Sequence, residues 1–287
     1  MEAGPGGEVG LPVRRFAGGK GRVSAETPTR PFLLLNDNDR MHKLFAMAVV
    51  LALPAFAQVK AITSGGFAAP LREIVPEFEK ATGVTVAIGS GASQGTGPNT
   101  IGAQLRSGVS EDVVIMSKEG LADLMAEGRI AAGTNVDLAQ TPIGMSVRAG
   151  APKPDIGSVE AFKQTLLRAK SITFPGSTTG IYMMTKLFPQ LGIADAIAGK
   201  ITNTGVAAVA GGDAEIAIQP VSELLHVPGV DFVGTIPAQI QYISVFSAAM
   251  VAGSKEPEAS KRLLAFLTSE KAVAAIRNHG MEPVKPR

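Results

Sequence analysis

No cysteine occurs anywhere in the 287 residues. A disulfide framework, a thiolate metal site and a cysteine nucleophile are therefore excluded. So is the lipid-bearing cysteine that tethers some exported proteins at their processed N-terminus. Tryptophan is also absent, and histidine occurs only at His42, His226 and His279. A hydrolase built on a nucleophile and an imidazole base has little to draw on. His226, in "LLHVPG", reads as a surface residue, and His279, in "RNHGMEP", as a cation at a helix C-terminus. Carboxylates are scattered without close pairing, which leaves a glycosidase dyad unsupported. The most apolar run, Leu44 to Phe56, is too short to span a bilayer. Net charge is small as well. The whole chain carries +2, and from Gln58 onward 20 Lys+Arg balance 20 Asp+Glu. With no basic cluster interleaved with aromatics, nucleic acid is not an expected partner.

The front of the chain has its own character. Residues 1–40 are rich in Gly, Pro and Arg without sustained periodicity, and read as a disordered or mis-called leader. "MHKLFAMAVVLALPAFAQ" then places a lysine, an apolar run and the small-x-small triplet Ala55-Phe56-Ala57 in the order of a secretory signal peptide over 41–57. Processing after Ala57 leaves a free chain in an extracytoplasmic space.

From Gln58 the chain alternates strands and helices. Val59 to Thr63 reads as a buried strand, followed by Ser64-Gly65-Gly66 and a helix whose Leu71, Ile74, Val75 and Phe78 form one apolar stripe. Val84 to Ile88, Asp112 to Met116, Ile143 to Val147, "SITF" at 171–174 and Ala214 to Gln219 read as further strands. Helices carry Ile101 and Leu105, Leu121 and Leu124, and Val159, Phe162 and Leu166 with Ser158 as N-cap. "QIQYISVFSAAMVAG" reads as one extended crossover, and two helices, Pro257 to Leu267 and Glu270 to Asn278, close the chain. Repeated βα units indicate an α/β fold with mostly parallel sheets.

Three loops share one design. Ser64-Gly65-Gly66, the stretch Ser90 to Thr96 and the stretch Ser177 to Gly180 each follow a strand, carry hydroxyls and glycines, and lead into a helix. Such loops gather at the carboxyl ends of strands, where α/β proteins bind ligands. Hydroxyls and helix-start amides bind an anion by donating hydrogen bonds, without a counter-charge.

The blocks "AITSGG" with "LREIVPEFEKATGV", "AQLRSGVSEDVVIMS", "TTGIY" with "LFPQLGI", "GDAEIAIQPVSEL" and "FLTSEKAVAAIRNHGMEP" resemble, in order and spacing, the solute-binding proteins of bacterial ABC importers. The resemblance is to the molybdate-binding family and its relatives, and covers Gln58 to Pro283. It implies two α/β lobes of the type II-like periplasmic binding fold, with two crossover strands, near Thr141 to Val147 and Tyr242 to Val251, and a ligand cleft between the lobes. Lobe one is then 58–140 plus 247–287, and lobe two 141–246. The ligand-binding residues implied are Ser64, Gly65 and Gly66, with the family's serine at the Gly66 position; Ser90, Ser93 and Thr96; Thr179; and the helix-start amides of Gly205 and Val206, while Ser177 and Thr178 of the third hydroxyl loop are further candidate donors. Tyr182 is placed as a cleft wall. Met183 and Met184 read as core packing. Arg72 and Lys186 are solvated unless an organic acid recruits them. At the position where the family carries a tyrosine stands Pro220, which lacks a donor, beside Gln219, whose amide both donates and accepts. That substitution favours a carboxylate or a less symmetric oxyanion over strict molybdate recognition.

The expectation is therefore a periplasmic solute-binding protein, a monomer that delivers a small anion to an importer permease. Neither cofactor nor metal is expected, and turnover is not. The alternative is a secreted enzyme on the same scaffold. Expressed in a bacterium from Met41, the chain is expected in the periplasm with Gln58 at its N-terminus, which intact-mass measurement of the periplasmic fraction checks; an uncut chain in the cytoplasm would contradict it.

Overall fold

The structure, a computed structural model, describes residues 57–284. The leader and the signal peptide up to Phe56 lie outside the described residues. The first unit builds as the sequence pattern dictates. Strand β1 (Gln58–Thr63) buries Val59, Ala61 and Ile62 completely. Helix α1 (Gly65–Thr82) turns Leu71, Ile74, Val75 and Phe78 inward, and ends where Gly83, in the left-handed region at φ 70°, donates its N–H to the Glu79 carbonyl.

The remaining strands are β2 (Thr85–Ser90), β3 (Val113–Ser117), β4 (Val136–Arg148), β5 (Ile172–Thr173), β6 (Ile201–Thr202), β7 (Ile216–Pro220), β8 (Val230–Thr235), β9 (Ile243–Met250) and β10 (Glu282–Pro283). Their hydrogen-bonded order is β2-β1-β3-β9-β4-β7-β5-β6, with β8 and β10 also pairing with β4. The sheet is mixed. Strands β1, β2 and β3 run parallel, as do β5, β6 and β7. Every pairing of β4 and β9 is antiparallel. The expected parallel βα units are therefore present, and the antiparallel pairings belong to the strands that carry the chain between two α/β lobes. Strand β8, which the sequence reading left unassigned, is only half-buried along its length, so it lacks the apolar alternation that marks β3.

Strand β3 shows why a continuous apolar run was legible. Val113 and Ile115 face a core shared with Phe67, Leu71, Phe78, Leu263 and Ile276. Val114 and Met116 face the opposite side, against Ile101, Leu105, Leu121 and Leu124. Both faces are buried, so both carry apolar side chains. On the other side of the crossing strands, Ile143, Met145, Phe162, Leu166, Phe174 and Phe188 form a separate core.

Strand β4 serves both regions. Its residues Val136 to Pro142 pair with β9, and Ile143 to Val147 pair with β7. At the changeover the Gln241 side chain replaces main-chain pairing. Its Oε1 accepts from Ile143 N at 2.7 Å, and its Nε2 donates to the carbonyls of Ile143 at 3.0 Å and Ile236 at 3.1 Å. One amide thus ties the two passages of the chain together where they cross.

Asp112 organises the far end of the first sheet region. It is 4 % exposed and accepts from Lys60 N, Ser254 Oγ, Lys255 N and Glu256 N at 2.7 to 3.3 Å. Burial alone would raise its pKa, but these bonds outweigh it and hold the carboxyl below the ordinary aspartate range. A depressed pKa stabilises the fold above the unfolded value and is lost as pH falls through the folded one. Asp112→Ala is expected to lower stability by about 2 kcal/mol or more near neutral pH, since a charged hydrogen-bond acceptor is removed from four donors. The deficit should shrink below about pH 4. Urea titrations at the two pH values check this, and an equal deficit at both would contradict it.

Candidate functional site

A cleft of about 350 Å³ lies where the loops of the two regions meet. From the first region it is lined by Ser64 and Gly65 at the start of α1, by Ser90 to Ser93, by Asn99 and by Ser117. From the second come Pro175, Ser177, Thr178 and Thr179, then Pro220 and Glu223. Ser244 and Phe246 of β9 complete the lining. At about 30 Å³ per water, the volume suits a molecule larger than a single tetrahedral oxyanion.

The local fold explains the hydroxyls. Ser64, Ser117 and Ser177 each occupy the N-cap position of a helix: α1, then Lys118–Ala126, then Thr178–Tyr182. Ser and Thr favour this position, and each helix start brings unpaired N–H groups with it. The donors the cleft offers are therefore backbone N–H groups and hydroxyls. No Lys, Arg or His lines it.

Two of its hydroxyls, those of Ser64 and Ser244, are buried without a hydrogen bond, and so is the Oε1 of Gln219 immediately behind the lining. Buried polar atoms are nearly always paired, so orphans gathered at a cleft mark a place where a ligand supplies the partner. Other hydroxyls are engaged between regions. Ser177 Oγ accepts from Gln94 N at 3.2 Å, and Thr178 Oγ1 lies 2.8 Å from Ser117 Oγ and 3.0 Å from Gln94 Oε1. Within the first region, Ser93 Oγ accepts from Ser117 N at 2.8 Å.

Glu223 is the one ionisable residue in the lining. It ends the short turn Val221–Glu223 that follows β7. Its half-buried side chain lines the cleft. Its Oε2 accepts from Gln219 Nε2 at 2.5 Å. Its carboxyl carbon and Oε1 would each lie 3.3 Å from a Cβ placed on Gly65, so the bare backbone at the start of α1 permits the approach. Burial pushes its pKa up, and the Gln219 bond only partly counters this, leaving it at about 7. The sequence reading singled out Gln219 and Pro220 but passed over Glu223. The available signal was the one charged residue in the segment Ile216 to Leu225, four residues after Gln219.

Of the residues nominated from sequence, Ser64, Gly65, Ser90, Ser93, Ser177, Thr178 and Thr179 line the cleft, whereas Gly66, Thr96, Tyr182, Gly205, Val206 and Gln219 do not. Each of these six has a specific place. A Cβ on Gly66 would run into the Phe246 ring, so the serine implied there by resemblance has no room. Thr96 lines a neighbouring groove. Tyr182 stacks on Tyr242 with centroids 4.9 Å apart, and its hydroxyl donates to the Ile240 carbonyl at 2.9 Å. Gly205 donates its N–H to Thr173 Oγ1 at 2.9 Å and, with Val206 at the helix start beside it, sits near Gln219, whose Oε1 lies 3.6 Å from a Cβ built on Gly205. Gln219 lies immediately behind the lining, holding Glu223. Arg72 and Lys186 are also absent from the cleft, and His226 and His279 meet each other elsewhere, with centroids 5.9 Å apart.

The raised pKa of Glu223 makes its stability effect pH-dependent. The neutral form suits the fold, so its contribution is complete below the unfolded value near 4.5 and is lost as pH rises through about 7. Glu223→Gln is expected to flatten this decline and to melt higher than the parent above about pH 8. Thermal melts from pH 5 to 9 check it; parallel curves for the two proteins would contradict it.

Comparison with known proteins places this geometry among relatives. The family described as bacterial extracellular solute-binding protein matches residues 59–282. A protein from Pseudomonas sp. named aconitate isomerase is 40 % identical over 245 residues, covering 84 % of this chain and 94 % of that one. Among solved structures, the periplasmic molybdate-binding protein of Azotobacter vinelandii superposes with a TM-score of 0.64 at 20 % identity, over 80 % of this chain and all of that one. PEB3 of Campylobacter jejuni with bound L-phospholactate gives 0.60 at 18 % identity, over 78 % of this chain and 99 % of that one. With the two-region α/β architecture, the hydroxyl-lined cleft and the family match across residues 59–282, the chain belongs to the bacterial extracellular solute-binding proteins.

Proposed function

We propose that the cleft takes up a small polycarboxylate of the aconitate kind and interconverts its isomers. The observation that carries this reading is Glu223: a half-buried carboxyl held near neutrality by desolvation, alone among hydroxyls and helix starts in a cleft without cations. Such a group both donates and accepts protons near pH 7. Interconverting cis and trans forms of an alkene tricarboxylate requires the double bond to lose its rigidity. A group that removes a proton from the adjacent methylene and returns one to the far carbon of the alkene, so that the double bond shifts by one position, accomplishes this without a co-reactant. The name carried by the 40 % identical relative supports the substrate class. Ser64 and Ser244 are the donors available to the ligand's carboxylates, and Thr179 and the start of α1 complete the set. Lobes at 58–140 plus 247–287 and at 141–246 would close on the ligand, and the protein would work in the periplasm as a monomer after losing its signal peptide.

A second reading is capture of the same anion for an ABC importer. It is favoured by hydrogen bonds that run directly between the facing loops, Gln94 to Ser177 and Thr178 to Ser117, because a cleft closed by such bonds can sequester a ligand. Proton exchange separates the two readings. Incubated with trans-aconitate in deuterated water, an isomerase is expected to yield cis-aconitate with deuterium on carbon, followed by NMR. Glu223→Gln should lower the rate at least 100-fold, within the range of general acid–base catalysis. Tight binding with no isomer formed would favour the importer reading. Ser64→Ala and Ser244→Ala should each weaken binding about tenfold with little change in stability, because neither hydroxyl has a protein partner to lose. Calorimetry and melts check both halves of that expectation, and unchanged affinity would remove these serines from the site.

A further inference from the structure

We propose that the cleft takes its carboxylate ligand together with one proton, shared between Glu223 Oε1 and a carboxyl group of the ligand. This rests on the polycarboxylate reading of the cleft and describes the resting complex; Glu223 can act as the base only once the shared proton has passed to the ligand carboxyl. Three observations point to it. The first is the missing counter-charge: no cationic side chain lines the cleft, and no Lys or Arg occurs between Lys200 and Lys255, the stretch that contributes Pro220, Glu223, Ser244 and Phe246. Two ionised carboxylates held together in such a site cannot both keep their charge, so the pair retains a proton.

The second is the division of labour on Glu223. Oε2 is occupied by Gln219, whereas Oε1 has no hydrogen-bond partner among the described residues. Gln219 is itself 3 % exposed, so the carboxyl is held in a fixed orientation. A neutral Glu223 donates through its free oxygen to a ligand carboxylate; an ionised Glu223 accepts from a ligand carboxylic acid. Either way one proton lies between the two, and the net charge of the complex is the same.

The third is the isolation of Glu223 from other titrating groups. Strands β7 and β9 carry no charged side chain, and those of β4 are Asp137 and Arg148, one near each end. On α1 the first charged residue is Arg72, two turns beyond Gly65, and Glu73 is engaged by Asn278 and His279 at 3.0 Å. His226, three residues past Glu223, bonds the Asn278 carbonyl at 3.0 Å and pairs edge-on with His279. The raised pKa of Glu223 has burial as its largest cause and no contribution from a neighbouring charge, in keeping with a group that answers to the ligand alone.

The test is titration calorimetry of the mature protein with trans-aconitate and with citrate, in phosphate and in Tris, whose ionisation heats differ. Above about pH 7 the free ligand's ordinary carboxyls are largely ionised, so proton uptake reports on the protein. The expected result is a buffer-dependent heat equivalent to about half a proton or more per site at pH 7.5. Affinity should fall about tenfold per pH unit above about pH 8, and Glu223→Gln should bind with neither proton uptake nor that pH slope. The heat of the unaltered protein answers the question whether or not the variant folds. A buffer-independent heat, or a variant with the parent's pH slope, overturns the shared proton while leaving the polycarboxylate reading intact. If neither tricarboxylate binds the unaltered protein at any pH from 5 to 9, the functional reading fails and this inference fails with it.

Discussion

The constraint on which the rest depends is the double passage of the chain between its two sheet regions. Strand β4 pairs with β9 along one half and with β7 along the other, so a single strand belongs to both. The return passage enters β9 beside it. Where they cross, the Gln241 amide satisfies Ile143 and Ile236 and thereby covers the gap left as pairing changes partner. Backbone groups buried at such a changeover are costly unless paired. Because both regions are strung on the same strands, their loops face each other, and the N-caps Ser64, Ser117 and Ser177 arrive at one cleft.

The electrostatics of that cleft follow from its construction. Helix starts and serines supply donors without supplying charge, and the structure adds no lysine or arginine. An anion held there is stabilised by hydrogen bonds that are already oriented. A carboxylic acid placed in the same surroundings is driven toward its neutral form, which is the state of Glu223 favoured by burial. Gly65 and Gly66 both matter, for different reasons: the first admits the Glu223 carboxyl to the start of α1, and the second admits the Phe246 ring. A chain with a side chain at either position would have a different cleft.

Membership of a solute-binding family and 40 % identity to a protein named aconitate isomerase are compatible in physical terms. A cleft between two lobes can hold a small ligand in a fixed orientation. Whether the bound molecule leaves unchanged depends on the presence of a group that can move a proton. In this chain the candidate for such a group is Glu223, on the short turn after β7.

Local patterns were legible because their causes are local. The stripe of Leu71, Ile74, Val75 and Phe78, the cap at Gly83 and the two-sided burial of β3 each follow from periodicity and backbone preference within a few residues. The hydroxyl loops at Ser64, Ser90 to Ser93 and Ser177 to Thr179 were visible for the same reason. Glu223, Ser244 and Phe246 were not, since nothing in their immediate neighbourhoods says that they meet α1 across the molecule. Nor could sequence tell that Tyr182 turns to Tyr242 and the Ile240 carbonyl, away from the cleft. The sequence by itself determined the βα units, the uncharged donors and the absence of thiol chemistry. Only the tertiary structure decided which donors stay unpaired and which acid lies among them, because desolvation and hydrogen-bond satisfaction are properties of residues brought together from distant parts of the chain.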